Sequence, residues 1–184
     1  METDESCLIG GIEEQEIVIV PYDSGWPEKY LGQARIIKNL LGGTLLRIEH
    51  IGSTSVPGLA AKPIIDILAV VRDSADESSY VPQLSSAGYS LRVREPNFFE
   101  HRMLRTAARD VHVHIYSSDA SEIDRLILFR DRLRSSEEDR ARYETVKRTL
   151  AANRWRDMNA YADAKTEIVE SIVAAALRFN EQRQ

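Results

Sequence analysis

The chain has 184 residues, 43% of them hydrophobic and 29% charged, which is ordinary globular usage and enough length for one buried core. A formal charge of −5 excludes a broadly basic nucleic-acid-binding surface, and the single cysteine, Cys7, excludes a disulfide framework within the chain. No apolar run approaches the roughly 20 residues of a membrane span, and Met1, Glu2, Thr3, Asp4 and Glu5 lack the basic and apolar regions of a secretory signal, so the expected setting is cytoplasmic with no membrane partner.

Residues 1–16 are acidic and interrupted by Gly10 and Gly11, and are expected to form a flexible tail. The β-branched run at 17–20 closes at Pro21 and predicts a strand. Trp26 and Pro27 open a helix, proline being accepted in a first turn. Tyr30, Ala34, Ile37 and Leu41 give that helix one apolar face, and Gly42 and Gly43 end it. Strands are predicted at 45–51 and 64–71, the second apolar enough to be covered on both faces. A polar helix-like stretch runs to Ala87, and strands follow near 89–94, 102–106 and 110–116.

The last third reads as helices. Ser121 with Asp124 has the form of a capping box, and Leu126, Phe129 and Leu133 share one face. Ser136 starts the next helix, with Tyr143, Val146 and Leu150 as its stripe. One long final helix carries Met158, Tyr161, Ile168, Ile172 and Phe179. Strands first and helices last predict an α+β domain over 17–180, with its sheet part at about 17–118 and its helical part at about 119–180.

Gly52, Ser53, Thr54 and Ser55 follow a strand and precede Pro57 and Gly58. Glycine permits a sharp turn and close backbone approach, and three hydroxyls with nearby N–H groups can cradle phosphate oxygens. Lys62 would add a point charge beyond the loop. The same residues also make self-capping polar turns. Asp66 lies within an otherwise apolar strand, where an unpaired carboxylate would cost several kcal/mol, so it needs a cation, a metal or hydrogen-bond donors. At 110–116 the period of two places Asp110, His112, His114 and Tyr116 on one face and Val111, Val113 and Ile115 on the other. Such a histidine pair can converge on one metal or one phosphate, or can lie on a solvated sheet face.

Residues 48–67, IEHIGSTSVPGLAAKPIIDI, strongly resemble the GrpB (UPF0157-type) family. The likeness continues through Trp26 and Pro27, residues 112–115, Leu128, Phe129, Arg130, Asp131, Leu133 and Arg134, then Tyr143 with Lys147 and Tyr161 with Lys165, covering about 17–179. It implies a nucleotidyltransferase-like mixed β-sheet flanked by helices, with a C-terminal helical subdomain. Related domains are found fused to dephospho-CoA kinase. The nucleotidyltransferase pattern is a Gly-Ser turn followed by Asp-x-Asp on the next strand. Gly52 and Ser53 match its first part and Asp66 its first carboxylate, but Leu68 stands where the second is expected. Metal ligation would then draw on Asp66 with Glu49, His112 or His114, and imidazole moves the preference from Mg²⁺ towards Mn²⁺ or Zn²⁺. The histidines could instead bind phosphate directly or take a proton from an attacking hydroxyl.

Among the helical cations, Lys165 falls on the stripe of the last helix, Lys147 lies one turn after Tyr143, and Arg130 precedes Arg134 by four residues. Lys62, Arg130, Lys147 and Lys165 are expected to face phosphate. Arg134 reads as a solvated charge, and Arg102 and Arg105 are lesser candidates. The leading expectation is a metal-dependent nucleotidyltransferase that binds a nucleoside triphosphate and a small-molecule acceptor. The catalytic positions are Asp66, His112 and His114, and the phosphate positions include Gly52, Ser53, Thr54 and Ser55. The alternatives are a non-catalytic nucleotide- or CoA-type binding module and a His/Asp metallohydrolase. The oligomeric state stays open.

Overall fold

The structure, a computed structural model, describes residues 7–11, 13, 17–153, 155 and 158–181. Strands β1 (Arg47–Ile51), β2 (Ile65–Val71), β3 (Tyr89–Glu95), β4 (His101–Thr106) and β5 (Val111–Ser117) form one mixed sheet in the order β1-β2-β5-β4-β3. The β2–β5 pair is parallel and the other three pairs are antiparallel. The helices are α1 (Trp26–Leu41), α2 (Val81–Ser86), α3 (Glu122–Ser135), α4 (Glu137–Ala151), α5 (Met158–Asp163) and α6 (Thr166–Glu181).

Alternation along β2 sends its side chains into two cores. Ile65, Ile67, Ala69 and Val71 pack with Trp26, Ile37 and Leu41 of α1 and with Tyr80 and Leu84 at α2. Leu68 and Val70 point the other way and pack with Ile51, Tyr116 and Ile123 beneath α3. Each large side chain so buried contributes roughly 1.5–3 kcal/mol. A third cluster joins Val56 and Leu59, from the loop before β2, to Leu133, Tyr143 and Ile172, so α3, α4 and α6 hold that loop in place. This is the α+β layout expected, a mixed sheet flanked by helices with the last helices on one face.

Four local expectations are corrected or displaced. The 17–20 strand does not form: Val20 alone pairs, with Ala61, through backbone hydrogen bonds of 2.9 and 3.0 Å. β-branching favours extended backbone, yet a strand also needs an edge to pair with. Ser121 is itself helical and makes no side-chain cap, whereas the extended Ser136 accepts from the Asp139 N–H at 3.2 Å. The long final helix is two helices, α5 and α6, parted where the Lys165 N–H turns back three residues to the Ala162 carbonyl. Phe179, expected on its core stripe, is exposed under the Arg132 guanidinium.

The acidic tail falls largely outside the described residues. Within it, Leu8 pairs with Val93 beside a β-bulge, and Arg92 donates to the carbonyls of Ile9 and Gly11. Among the described residues no helix is long and apolar enough to cross a membrane.

Candidate functional site

The end of β1 is where the site begins. Gly52 follows Ile51, which is the register partner of Asp66, and takes φ 68°, a conformation that favours glycine. The turn passes over the Asp66 side chain with no room for a Cβ. Ser53–Ser55 then make one 3₁₀ turn. Two of the three hydroxyls hold this loop together. Ser55 Oγ donates to the Gly52 carbonyl at 2.6 Å, and Thr54 Oγ1 donates to the Ile64 carbonyl at 3.0 Å. Because the Thr54 proton is so used, the His50 Nε2–H donates to Thr54 Oγ1 at 3.1 Å. Burial pushes the Tyr143 hydroxyl up to about 12, and the Ser53 hydroxyl beside it pulls the other way. Gly52, Ser53 and Thr54 line a cavity, and Ser55 is not among its lining residues.

Parallel pairing of β2 with β5 sets Asp66 beside His112, and the period of two brings His114 to the same face. Asp66 Oδ1 lies 3.6 Å from His112 Nδ1 and 3.4 Å from His114 Nε2, and one donor atom from each residue falls within 4.8 Å of the others. These separations exceed good hydrogen-bond lengths. They match the ~3.4 Å between ligands that bind a tetrahedral ion at about 2.1 Å each. Burial pushes the Asp66 carboxyl up, but the two imidazoles outweigh it and hold the group well below the usual carboxylate range. The carboxylate keeps 27% of its side-chain exposure, so solvent reaches it. Leu68 is fully buried, and its register partner on β5 is His114. An imidazole one strand over therefore stands level with position 68, where the sequence resemblance predicts a second carboxylate.

A cavity of about 410 Å³ joins this triad to the helices. Lys62, Lys147 and Lys165 all line it. Lys165, placed at the α5–α6 break rather than on a helix stripe, holds its Nζ 4.5 Å from the centre of the Tyr161 ring, and the Lys62 Nζ lies 5.2 Å from the same ring. The Lys147 Nζ donates to the Ala60 carbonyl and sits 4.9 Å from the Tyr143 ring. Burial, then the nearby positive charges, lowers Lys147 to about 7 and Lys62 to about 8. Burial also lowers Lys165, against the pull of Asp66. Phe98, Leu126, Phe129 and Val169 add apolar surface to the lining of the same cavity.

Other sequence candidates lie elsewhere. Arg130 Nη1 donates to Glu49 Oε2 at 2.9 Å and to the His50 carbonyl at 3.1 Å, and its Nε donates to Asp131 at 2.7 Å. Glu49 and Arg130 thus engage each other, and neither lines the cavity. Arg134, read as solvated, grips the Ser55 carbonyl with Nε and Nη2 at 3.0 and 2.9 Å and so clamps the loop. Arg102 pairs with Glu77 and Glu100, and Arg105 with Glu13.

Sequence reasoning missed His101. It is buried, stacks on Tyr116 at 4.7 Å, and places its Nε2 3.1 Å from His114 Nδ1 and its Nδ1 2.6 Å from Glu95. The signal was the alternation of His101, Met103 and Arg105, which puts His101 on the face of His112 and His114. The Tyr161 hydroxyl is buried against the cavity with no hydrogen-bond partner among the described residues.

Residues 16–175 match the family described as GrpB protein. The chain is 51% identical over 160 residues to UPF0157 protein BH1888 of Halalkalibacterium halodurans, covering 87% of this chain and 82% of that one. It is 50% identical over 169 residues to UPF0157 protein SCO7215 of Streptomyces coelicolor, covering 92% and 89%. The crystal structure of conserved protein GrpB from Enterococcus faecalis superposes with a TM-score of 0.78 at 33% identity, covering 89% of this chain and 99% of that one. With the family match over most of its length and these relatives, the chain belongs to the GrpB family.

Proposed function

We propose that the protein binds the phosphate chain of a nucleoside triphosphate together with a divalent ion held by Asp66, His112 and His114, and transfers the nucleotidyl group to a small-molecule acceptor in the cytoplasm. One observation supports this reading above others: the three ligand-type side chains and the three lysines line one cavity. A divalent ion there supplies charge neutralisation and polarises a phosphoryl oxygen. Gly52 lets the backbone approach a phosphate, Lys62 and Lys165 meet its charge, and Lys147 has two donors beyond the one spent on Ala60. Phe98 and Phe129, both lining the cavity, offer a nucleobase or acceptor apolar surface. In the transfer, an acceptor hydroxyl attacks the α-phosphorus, the bond to the β-phosphate oxygen breaks, pyrophosphate leaves, and the hydroxyl proton passes to a base. Two imidazoles and one carboxylate favour Mn²⁺ or Zn²⁺ over Mg²⁺.

The same donor set favours one competing reading, a metallohydrolase with an open ligand position for water. Melting curves of chelator-treated protein with ATP, CTP, GTP or UTP, each with and without Mn²⁺, decide between them when run beside a pyrophosphate-release assay. The proposal expects a metal-dependent rise in melting temperature that Asp66→Ala abolishes, and pyrophosphate release that needs an acceptor. No shift with any nucleotide, or an equal shift in the variant, contradicts it. Hydrolysis of phosphate esters without an acceptor supports the competitor, and tight metal-independent binding without turnover supports a non-catalytic module.

A further inference from the structure

We propose that His101, backed by Glu95, is a positioning residue that fixes His114 in the tautomer presenting an unprotonated Nε2 to Asp66. This rests on the reading that Asp66, His112 and His114 hold an ion. Donor and acceptor counting carries the argument. A carboxylate only accepts, so the His101 Nδ1–H donates to Glu95 Oε2 at 2.6 Å. A neutral imidazole has one N–H, so His101 Nε2 accepts, and His114 Nδ1, 3.1 Å away, must donate. His114 is then left with a lone pair on Nε2, 3.4 Å from Asp66 Oδ1. Two acceptors facing each other need a proton or a metal ion between them, and His112, within reach of both, gives an ion its third ligand.

The fold holds this relay in place. Glu95 and His101 are register partners on β3 and β4, and Met103, two residues on from His101, is the partner of His114. His101 is 6% exposed and stacks on both Tyr116 and His114. The turn that delivers it keeps Phe99 and Glu100 at φ 52° and 51°, sparsely populated values for residues other than glycine.

The variant His101→Phe keeps a ring to stack on Tyr116 but cannot accept from His114. Calorimetric titration with Mn²⁺ and Zn²⁺ is expected to show affinity about 10- to 100-fold weaker than in the parent, with the melting temperature of the metal-free protein little changed. The ¹⁵N spectrum of the imidazoles is expected to show His114 protonated at Nδ1 in the parent and as a tautomer mixture in the variant. Unchanged affinity with an unchanged tautomer overturns the inference, as does an Nε2–H tautomer in the parent. If the parent binds no ion, the proposed function fails while the ¹⁵N spectrum still decides the relay. Should His101→Phe not fold, Glu95→Leu removes the terminal acceptor at a more exposed position and is expected to weaken ion binding in the same direction.

Discussion

Gly52 lies so close to Asp66 that a methyl group on the glycine would stand 2.3 Å from the carboxylate Oδ2 and 2.9 Å from the aspartate Cβ. The turn and the carboxylate therefore form one unit. Gly52→Ala has to displace the aspartate and adopt φ near 68° with a side chain, a conformation that alone costs of order 1–3 kcal/mol. The expected outcome is a loss of about 2 kcal/mol or more in denaturant unfolding, together with loss of ion binding. A variant with parental stability and parental ion affinity would show that the turn does not press on Asp66.

His50 makes a pH prediction. Burial lowers its pKa from 6.5 to about 4, with Asp66 pulling the other way. It is stacked on Tyr30 at 4.6 Å and bonded to Thr54. The unfolded chain binds this proton more readily than the folded one. Its contribution is therefore complete above pH 6.5 and is lost as pH falls towards 4, by about 3 kcal/mol in all. In urea melts across this window, His50→Gln, which keeps an N–H for Thr54, is expected to flatten the decline relative to the parent. Parallel curves for the two proteins would contradict the assignment.

The lysine wall predicts proton uptake. Lys147 at about 7 and Lys62 at about 8 are partly neutral in mildly alkaline buffer. A phosphate placed beside them favours their charged forms and raises both. Nucleotide titrations at pH 8 in two buffers of different ionisation enthalpy should thus show net proton uptake, reduced in Lys147→Met. Zero uptake means that phosphate does not reach these ammonium groups.

Arg130 was read from sequence as a phosphate contact, whereas it binds Glu49, Asp131 and the His50 carbonyl. Arg130→Gln is expected to cost about 1.5–3 kcal/mol in unfolding, the range for lost hydrogen bonds to charged groups, and to leave nucleotide affinity within twofold. A large affinity loss at unchanged stability would restore the sequence reading.

Two features made Asp66, His112 and His114 legible before any coordinates. A carboxylate in an apolar strand needs a partner, and alternation at 110–116 assigns both imidazoles to one face. The parallel pairing that unites them was not readable, because β2 and β5 are separated by two strands and a helix in sequence. Lys165 was assigned a helix stripe because periodicity at 158–179 continues through the break between α5 and α6, which depends on backbone bonding at Ala162. His101 escaped notice because a lone histidine at a strand start has no pattern of its own until the register with β5 is known. Arg134 and Ser55 show the same limit: a side-chain grip on a distant carbonyl leaves no local signature.

The most direct test is a count of bound ions. Chelator-treated protein dialysed against Mn²⁺ or Zn²⁺ and analysed for metal per chain is expected to hold one ion in the parent and none in Asp66→Asn, with both proteins folded by circular dichroism. A metal-free parent, or equal metal content in the two proteins, would contradict the assignment of Asp66, His112 and His114 as a metal centre.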